Sequence, residues 1–92
     1  MTDRPDQSLT LRRKRLRFQA WHRGVKEADL VLGRFVDRNG GNFDAEDCSF
    51  FEKLLQQADQ DILDWVTGKA AVPAAFDHPL MARLKKLEHV SP

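Results

Sequence analysis

The sequence predicts an all-α fold, a compact five-helix bundle, on three observations. Apolar residues recur at three- and four-residue intervals along most of the chain, the spacing of one helix face. No stretch sustains the apolar–polar alternation of a half-buried strand, and isoleucine, threonine and tyrosine are scarce. Glycine, asparagine and proline divide the chain into short helical lengths joined by short loops.

Residues 1–7 read as a disordered tail and residues 8–89 as a single helical domain. Ser8 or Thr10 is placed to cap a first helix that runs to about His22. Its apolar members are Leu9, Leu11, Leu16, Phe18 and Trp21. Leu11, Phe18 and Trp21 fall near one stripe, which marks them for the core and leaves the arginines as a solvated face. Gly24 marks a break. A second helix follows over about residues 25–38, with Ala28, Val31, Leu32 and Phe35 on one strip. Leu30 lies off that strip, so this helix is expected to be covered on more than one side. Asn39-Gly40-Gly41-Asn42 then ends it in left-handed turn geometry.

Asp44 caps a third helix, with Asp47 in the capping-box position three residues on. Phe50, Phe51, Leu54, Leu55 and Ala58 give it the cleanest core-facing pattern in the chain. Asp59 and Asp61 open a short fourth helix, where carboxylates suit the positive end of the dipole. Ile62, Leu63, Trp65 and Val66 pack it, and Gly68 stops it. Residues 70–76 connect to a last helix started by Asp77 and Pro79, with Leu80, Met81, Leu84 and Leu87 on one side.

At 92 residues the chain makes one small domain. A domain of this size buries roughly 60% of its unfolded surface, which leaves little room for a deep substrate cleft beside a core. A stand-alone enzyme is therefore disfavoured. Fifteen Lys and Arg against fourteen Asp and Glu give a net charge of +1, short of the large positive charge of a general nucleic-acid binder. The charges are unevenly placed, with a basic run at Arg12, Arg13, Lys14, Arg15 and Arg17 and acids gathered further on, a pattern suited to docking on a complementary surface. Cys48 is the single cysteine, so no internal disulfide forms. No run approaches a membrane span, and the N-terminus lacks the apolar core of a secretory signal, so a cytoplasmic protein without membrane insertion is expected.

No catalytic or metal-binding constellation stands out. His22, His78 and His89 are scattered, without the spacing of a helical metal site. His78, before Pro79, reads as a first-turn surface residue, and nothing positions a histidine against Cys48. Among Asp59, Asp61 and Asp64, the first two sit where a helix cap wants acids, and the defined loop of an oxygen-ligand site is missing, so the cluster reads as a helix cap, with an exposed acidic contact patch as the second choice. Gly40-Gly41 lacks the lysine and hydroxyl residue of a phosphate loop.

The informative stretch is Arg23-Gly24-Val25-Lys26-Glu27. A glycine within a helix costs about 1 kcal/mol against alanine. An ion pair between Arg23 and Glu27, four apart, returns only about 0.2–0.5 kcal/mol. Local stability therefore explains the trio poorly. The plain readings of Gly24 are a helix-to-helix corner or a close approach by another backbone, and an exposed recognition role, with Arg23 and Glu27 displayed for a partner, explains the trio better.

These residues resemble the succinate dehydrogenase flavin assembly factors, small five-helix proteins with an Arg-Gly-x-x-Glu motif. The likeness continues through Asp29-Leu30, Phe35, Phe51, Leu54-Leu55, Asp59-x-Asp61, Trp65 and Gly68, covering roughly residues 15–68. His22 stands where many relatives have a second arginine, and Gln60 where many have proline. The resemblance implies binding to the flavoprotein subunit of succinate dehydrogenase, and in some bacteria of fumarate reductase, with covalent attachment of FAD to a histidine of that client. FAD is then the client's cofactor, none is held stably here, and the factor works by orientation in trans. Carried over by position, Arg23, Gly24 and Glu27 are the partner contacts, with Asp29 and Arg17 beside them. The short lead before the matched region suggests a bacterial protein. A rival reading, a helical regulator binding nucleic acid or a toxin, rests on the basic run and lacks a helix-turn-helix pattern.

Overall fold

Among the described residues five α-helices follow one another: α1 over Pro5–Trp21, α2 over Lys26–Asn39, α3 over Ala45–Leu54, α4 over Asp59–Thr67 and α5 over Pro79–Lys86. Short 3-10 turns lie at Gly40–Asn42 and Ala74–Phe76, and no strand occurs among the described residues. The computed structural model describes residues 5–87, with side chains from residue 9 onward. Helix α1 packs on α2 and α3, α2 on α4, and α4 on α5.

The core is aromatic at its centre. Phe35 of α2 stacks on Phe51 of α3 with centroids 5.8 Å apart, and Phe43 closes on Phe51 at 5.5 Å. Leu16, Leu32, Leu54, Ile62 and Leu84 fill the space around them. Trp65 stacks on Phe76 at 5.2 Å, which anchors the connector before α5.

Helix α1 differs from its sequence reading in three ways. It begins at Pro5, ahead of Ser8 and Thr10, so residues 5–7 of the expected tail are helical; proline is well tolerated in a first turn. Residues 1–4 and 88–89 lie outside the described residues. Its buried face holds Leu16 and Ala20, while Leu11 and Phe18 are 59% and 64% exposed. Phe18 lies about 200° around the helix from Leu16, on the opposite side. The inward stripe also contains Arg12 and Arg13, which hides its period from a hydrophobicity count. Neither is simply solvated. Arg12 makes a fork on Glu52 of α3, at 3.0 and 2.8 Å, and Arg13 donates to the Phe43 carbonyl at 2.8 and 2.5 Å.

The end of α2 is also a correction. Gly40 has φ −60°, and neither Gly40 nor Gly41 is left-handed. Gly40 is buried, and a Cβ there would sit 2.8 Å from Cγ1 of Val36. As expected, α2 is covered on more than one side, by α1 and by α4, while Leu30 itself is half-buried and with Leu63 and Val31 lines an open groove of about 380 Å³ between α2 and α4.

The other helix signals hold, with changes of detail. Asp44 and Asp47 form the full capping box, Asp47 N donating to Asp44 Oδ1 at 2.8 Å and Asp44 N to Asp47 Oδ2 at 3.2 Å. Ala58 is exposed and is itself the N-cap of α4, so Asp59 is the first helical residue rather than the cap. Gly68 ends α4 in left-handed geometry, φ 84°. His78, not Asp77, caps α5: its Nδ1 accepts from Leu80 N at 3.1 Å. Its ring stacks on Phe50 at 4.4 Å, so it is half-buried and not a plain surface residue.

Candidate functional site

Residues 22–25 form the corner between α1 and α2. Gly24 adopts φ +91°, a backbone state that side chains rarely tolerate, and nothing lies within 4 Å of where a Cβ would stand. The glycine thus serves the corner and leaves an open surface above it. Val25 is extended, φ −115° and ψ 121°, and precedes α2 without a side-chain cap. Asp29 in the first turn of α2 instead reaches back over the corner, accepting from Arg23 N at 2.8 Å.

The Arg23 side chain turns inward. Its Nε donates to Asp59 Oδ1 at 2.7 Å, Nη2 to the Gln57 carbonyl at 2.8 Å, and Nη1 to the Leu55 carbonyl. The side chains of Arg23 and Asp59 are 13% and 20% exposed. These partners lie at two helix ends. The guanidinium sits beside carbonyls at the end of α3, where the dipole is negative, and Asp59 opens α4, where it is positive. One ion pair therefore sets a cation at the end of α3 and an anion at the start of α4.

The expected site residues divide accordingly. Arg23, Gly24 and Asp29 come together in the corner. Glu27 is exposed on the first turn of α2 and lies on the rim of the α2–α4 groove, with no ion pair to Arg23. Arg17 lies apart on α1, paired with Asp37 at 3.0 Å and 70% exposed. On the other side of the corner, Arg15, Phe18, His22, Arg23, Glu52 and Gln56 line an open groove of about 640 Å³. Phe18 and His22 stack there at 4.0 Å.

Sequence reasoning missed Asp59 as the partner of Arg23, since 36 residues separate them. It also missed Gly33, where a Cβ would overlap the Trp21 indole. Only a helix-interior glycine signalled that position.

The site's chemistry is that of contact and charge. Cys48 is fully buried, and loss of solvation pushes its thiol up, the opposite of an activated nucleophile. Among the described residues no group of three His, Cys, Asp or Glu is arranged to hold a metal, and no helix is long and apolar enough to cross a membrane.

Comparison with known proteins gives this geometry a family. The chain is 34% identical over 79 residues to the FAD assembly factor SdhE of Acetobacter pasteurianus, covering 86% of this chain and 72% of that protein. It is 38% identical over 85 residues to succinate dehydrogenase assembly factor 2-B, mitochondrial, of Drosophila willistoni, covering 90% of this chain and 54% of that one. The Drosophila simulans protein of the same name matches at 38% over 89 residues, 95% of this chain and 56% of its own length. The chain thus spans a little over half of the fly relatives. A match to the family described as flavinator of succinate dehydrogenase runs over residues 14–88, taking in the corner and all the residues that clamp it, and the chain belongs to that family.

Proposed function

We propose that this protein binds the flavoprotein subunit of succinate dehydrogenase and promotes covalent attachment of FAD to it. The observation that carries the reading is the family match over residues 14–88, which contains the whole corner and its supports. The corner offers what docking needs: an open backbone at Gly24, an exposed carboxylate at Glu27, and grooves on both sides. Bond formation belongs to the flavin and the client histidine. This chain contributes by holding a client conformation in which the two meet, an effect of orientation and population shift rather than of its own catalytic groups. Gly24 and Glu27 make the contact, and Arg23 with Asp29 holds it in place. The cytoplasm of a bacterium is the proposed setting, and the fumarate reductase flavoprotein is the second client to examine.

The test is in-gel flavin fluorescence of the denatured flavoprotein subunit from cells carrying the wild-type protein, no protein, or Gly24→Arg. Covalent flavin survives denaturation, so the band reports attachment. Loss of the band in both the deletion and the variant supports the proposal. An undiminished band in the deletion overturns it for this client.

A further inference from the structure

We infer that Asp59 is a positioning residue for the partner contact: through Arg23 it sets where the corner presents Gly24 and Glu27. The inference rests on the function proposed above and assigns a role to a residue whose charge otherwise reads as a helix-start acid.

The corner has few tethers. Gly24 and Val25 are exposed, and nothing lies within 4 Å of where a Gly24 Cβ would stand. Residue 23 carries the cross-links, with its N–H on Asp29 and its guanidinium on Asp59 and the carbonyls of Leu55 and Gln57. The two carbonyls are fixed acceptors of the α3–α4 turn. Asp59 is the single charged acceptor among the three partners given for the guanidinium, and charge-assisted hydrogen bonds are about twice as strong as neutral ones. It is also rigidly placed, as the first residue of a helix whose Ile62, Trp65 and Val66 are buried.

Removing the carboxylate leaves a largely buried guanidinium with neutral acceptors alone, which favours its release. Once Arg23 lets go, the backbone of residues 23–25 is held only through Asp29. Gly24 then samples the wide range open to glycine, and the first turn of α2 loses its fixed relation to the α3–α4 turn. A partner that reads Gly24 and Glu27 together must select the ordered corner from that ensemble, and its apparent affinity falls by the fraction ordered.

Asp59→Asn is the informative variant, because it keeps shape and removes charge. Two readouts separate positioning from general stability. In the isolated protein, amide exchange at residues 24–27 is expected to rise about tenfold, while amides of α5 stay at wild-type rates. In a flavinylation assay with purified flavoprotein and FAD, the concentration of factor giving half-maximal rate is expected to rise about fivefold, while the rate at saturating factor is retained. Arg23→Lys, which cannot reproduce the fork, should gain nothing further when combined with Asp59→Asn.

Unchanged exchange at the corner overturns the inference. So does faster exchange with an unaltered half-maximal concentration, since the clamp would then serve the fold alone. Uniformly faster exchange including α5 overturns it as well. Failure of the wild-type protein to promote flavinylation at all would count against the proposed function, and the exchange measurement would still decide the clamp.

Discussion

The Trp21 indole lies directly on Gly33. A Cβ at Gly33 would overlap Cδ2, Cε2 and Cε3 of the ring, the farthest of the three at 2.8 Å. The ring is held there by its Nε1, which donates to Asp37 Oδ2 at 3.2 Å. This contact brings α1 close against α2. Gly33→Ala should therefore destabilise the protein by about 1–2 kcal/mol, because overpacking outweighs the gain of about 1 kcal/mol in helix propensity. Adding Trp21→Ala should remove most of that penalty. Urea unfolding of the two single variants and the double variant measures the coupling.

The corner glycine makes a different prediction. Space is open at Gly24, so any substitution suffers from the backbone conformation rather than from a clash. Gly24→Ala and Gly24→Arg should each cost about 1 kcal/mol of stability. Flavinylation should separate them, with alanine retaining most of it and arginine losing it through bulk at the contact. Equal losses would assign the effect to corner conformation instead.

Arg12 and Glu52 predict an acid response. The Arg12 hydrogen bonds hold the Glu52 carboxyl below its ordinary range, with burial working in the opposite direction. A carboxylate with a lowered folded value stabilises the fold above its unfolded value, and that stabilisation disappears as pH falls through the folded one. Both side chains are partly exposed, so the pair is worth under about 1 kcal/mol. Glu52→Gln should lower stability at neutral pH and flatten its decline on acidification. Urea midpoints at neutral and acid pH provide the check.

His78 gives the clearest local test of a cap. Its Nδ1 serves Leu80 N while its ring covers Phe50, and Nε2 lies 3.7 Å from Asp47 Oδ1. His78→Ala should cost about 1–2 kcal/mol, from a lost cap and a lost ring contact. His78→Asn should recover the cap portion alone. Thermal unfolding of the two variants separates these contributions.

Cys48 is inaccessible in the folded state and its thiol is shifted upward by burial. Labelling by a thiol reagent in native buffer should be slow and should accelerate in step with destabilising substitutions elsewhere. Fast labelling, insensitive to stability, would contradict its placement in the core.

The signals that read correctly were local ones. Asp44 with Asp47, Gly68 and Pro79 act within one turn of their own position, where capping and backbone geometry leave few alternatives. Helix α1 shows where local reading fails. Its inward stripe includes Arg12 and Arg13, whose stems can lie against apolar surface while their guanidinium groups reach polar partners, so hydrophobic periodicity selected Phe18 and Leu11 instead. Gly40-Gly41 shows a similar limit, since glycine permits left-handed geometry without requiring it.

By itself, the sequence determined the helical class, most helix ends, the break at Gly24 and the likeness to flavin assembly factors. Each depends on residues near one another in the chain. Only the tertiary structure decided what the motif residues do. Arg23 and Glu27 lie four apart, which suggests a pair on one helix. The non-helical corner separates them, turning the arginine toward Asp59 and leaving the glutamate at the surface. The deciding partners lie 32 to 36 residues away, at the ends of α3 and α4. Helix-end carbonyls and a carboxylate attract a guanidinium by position in space, and that position exists only once the helices have packed.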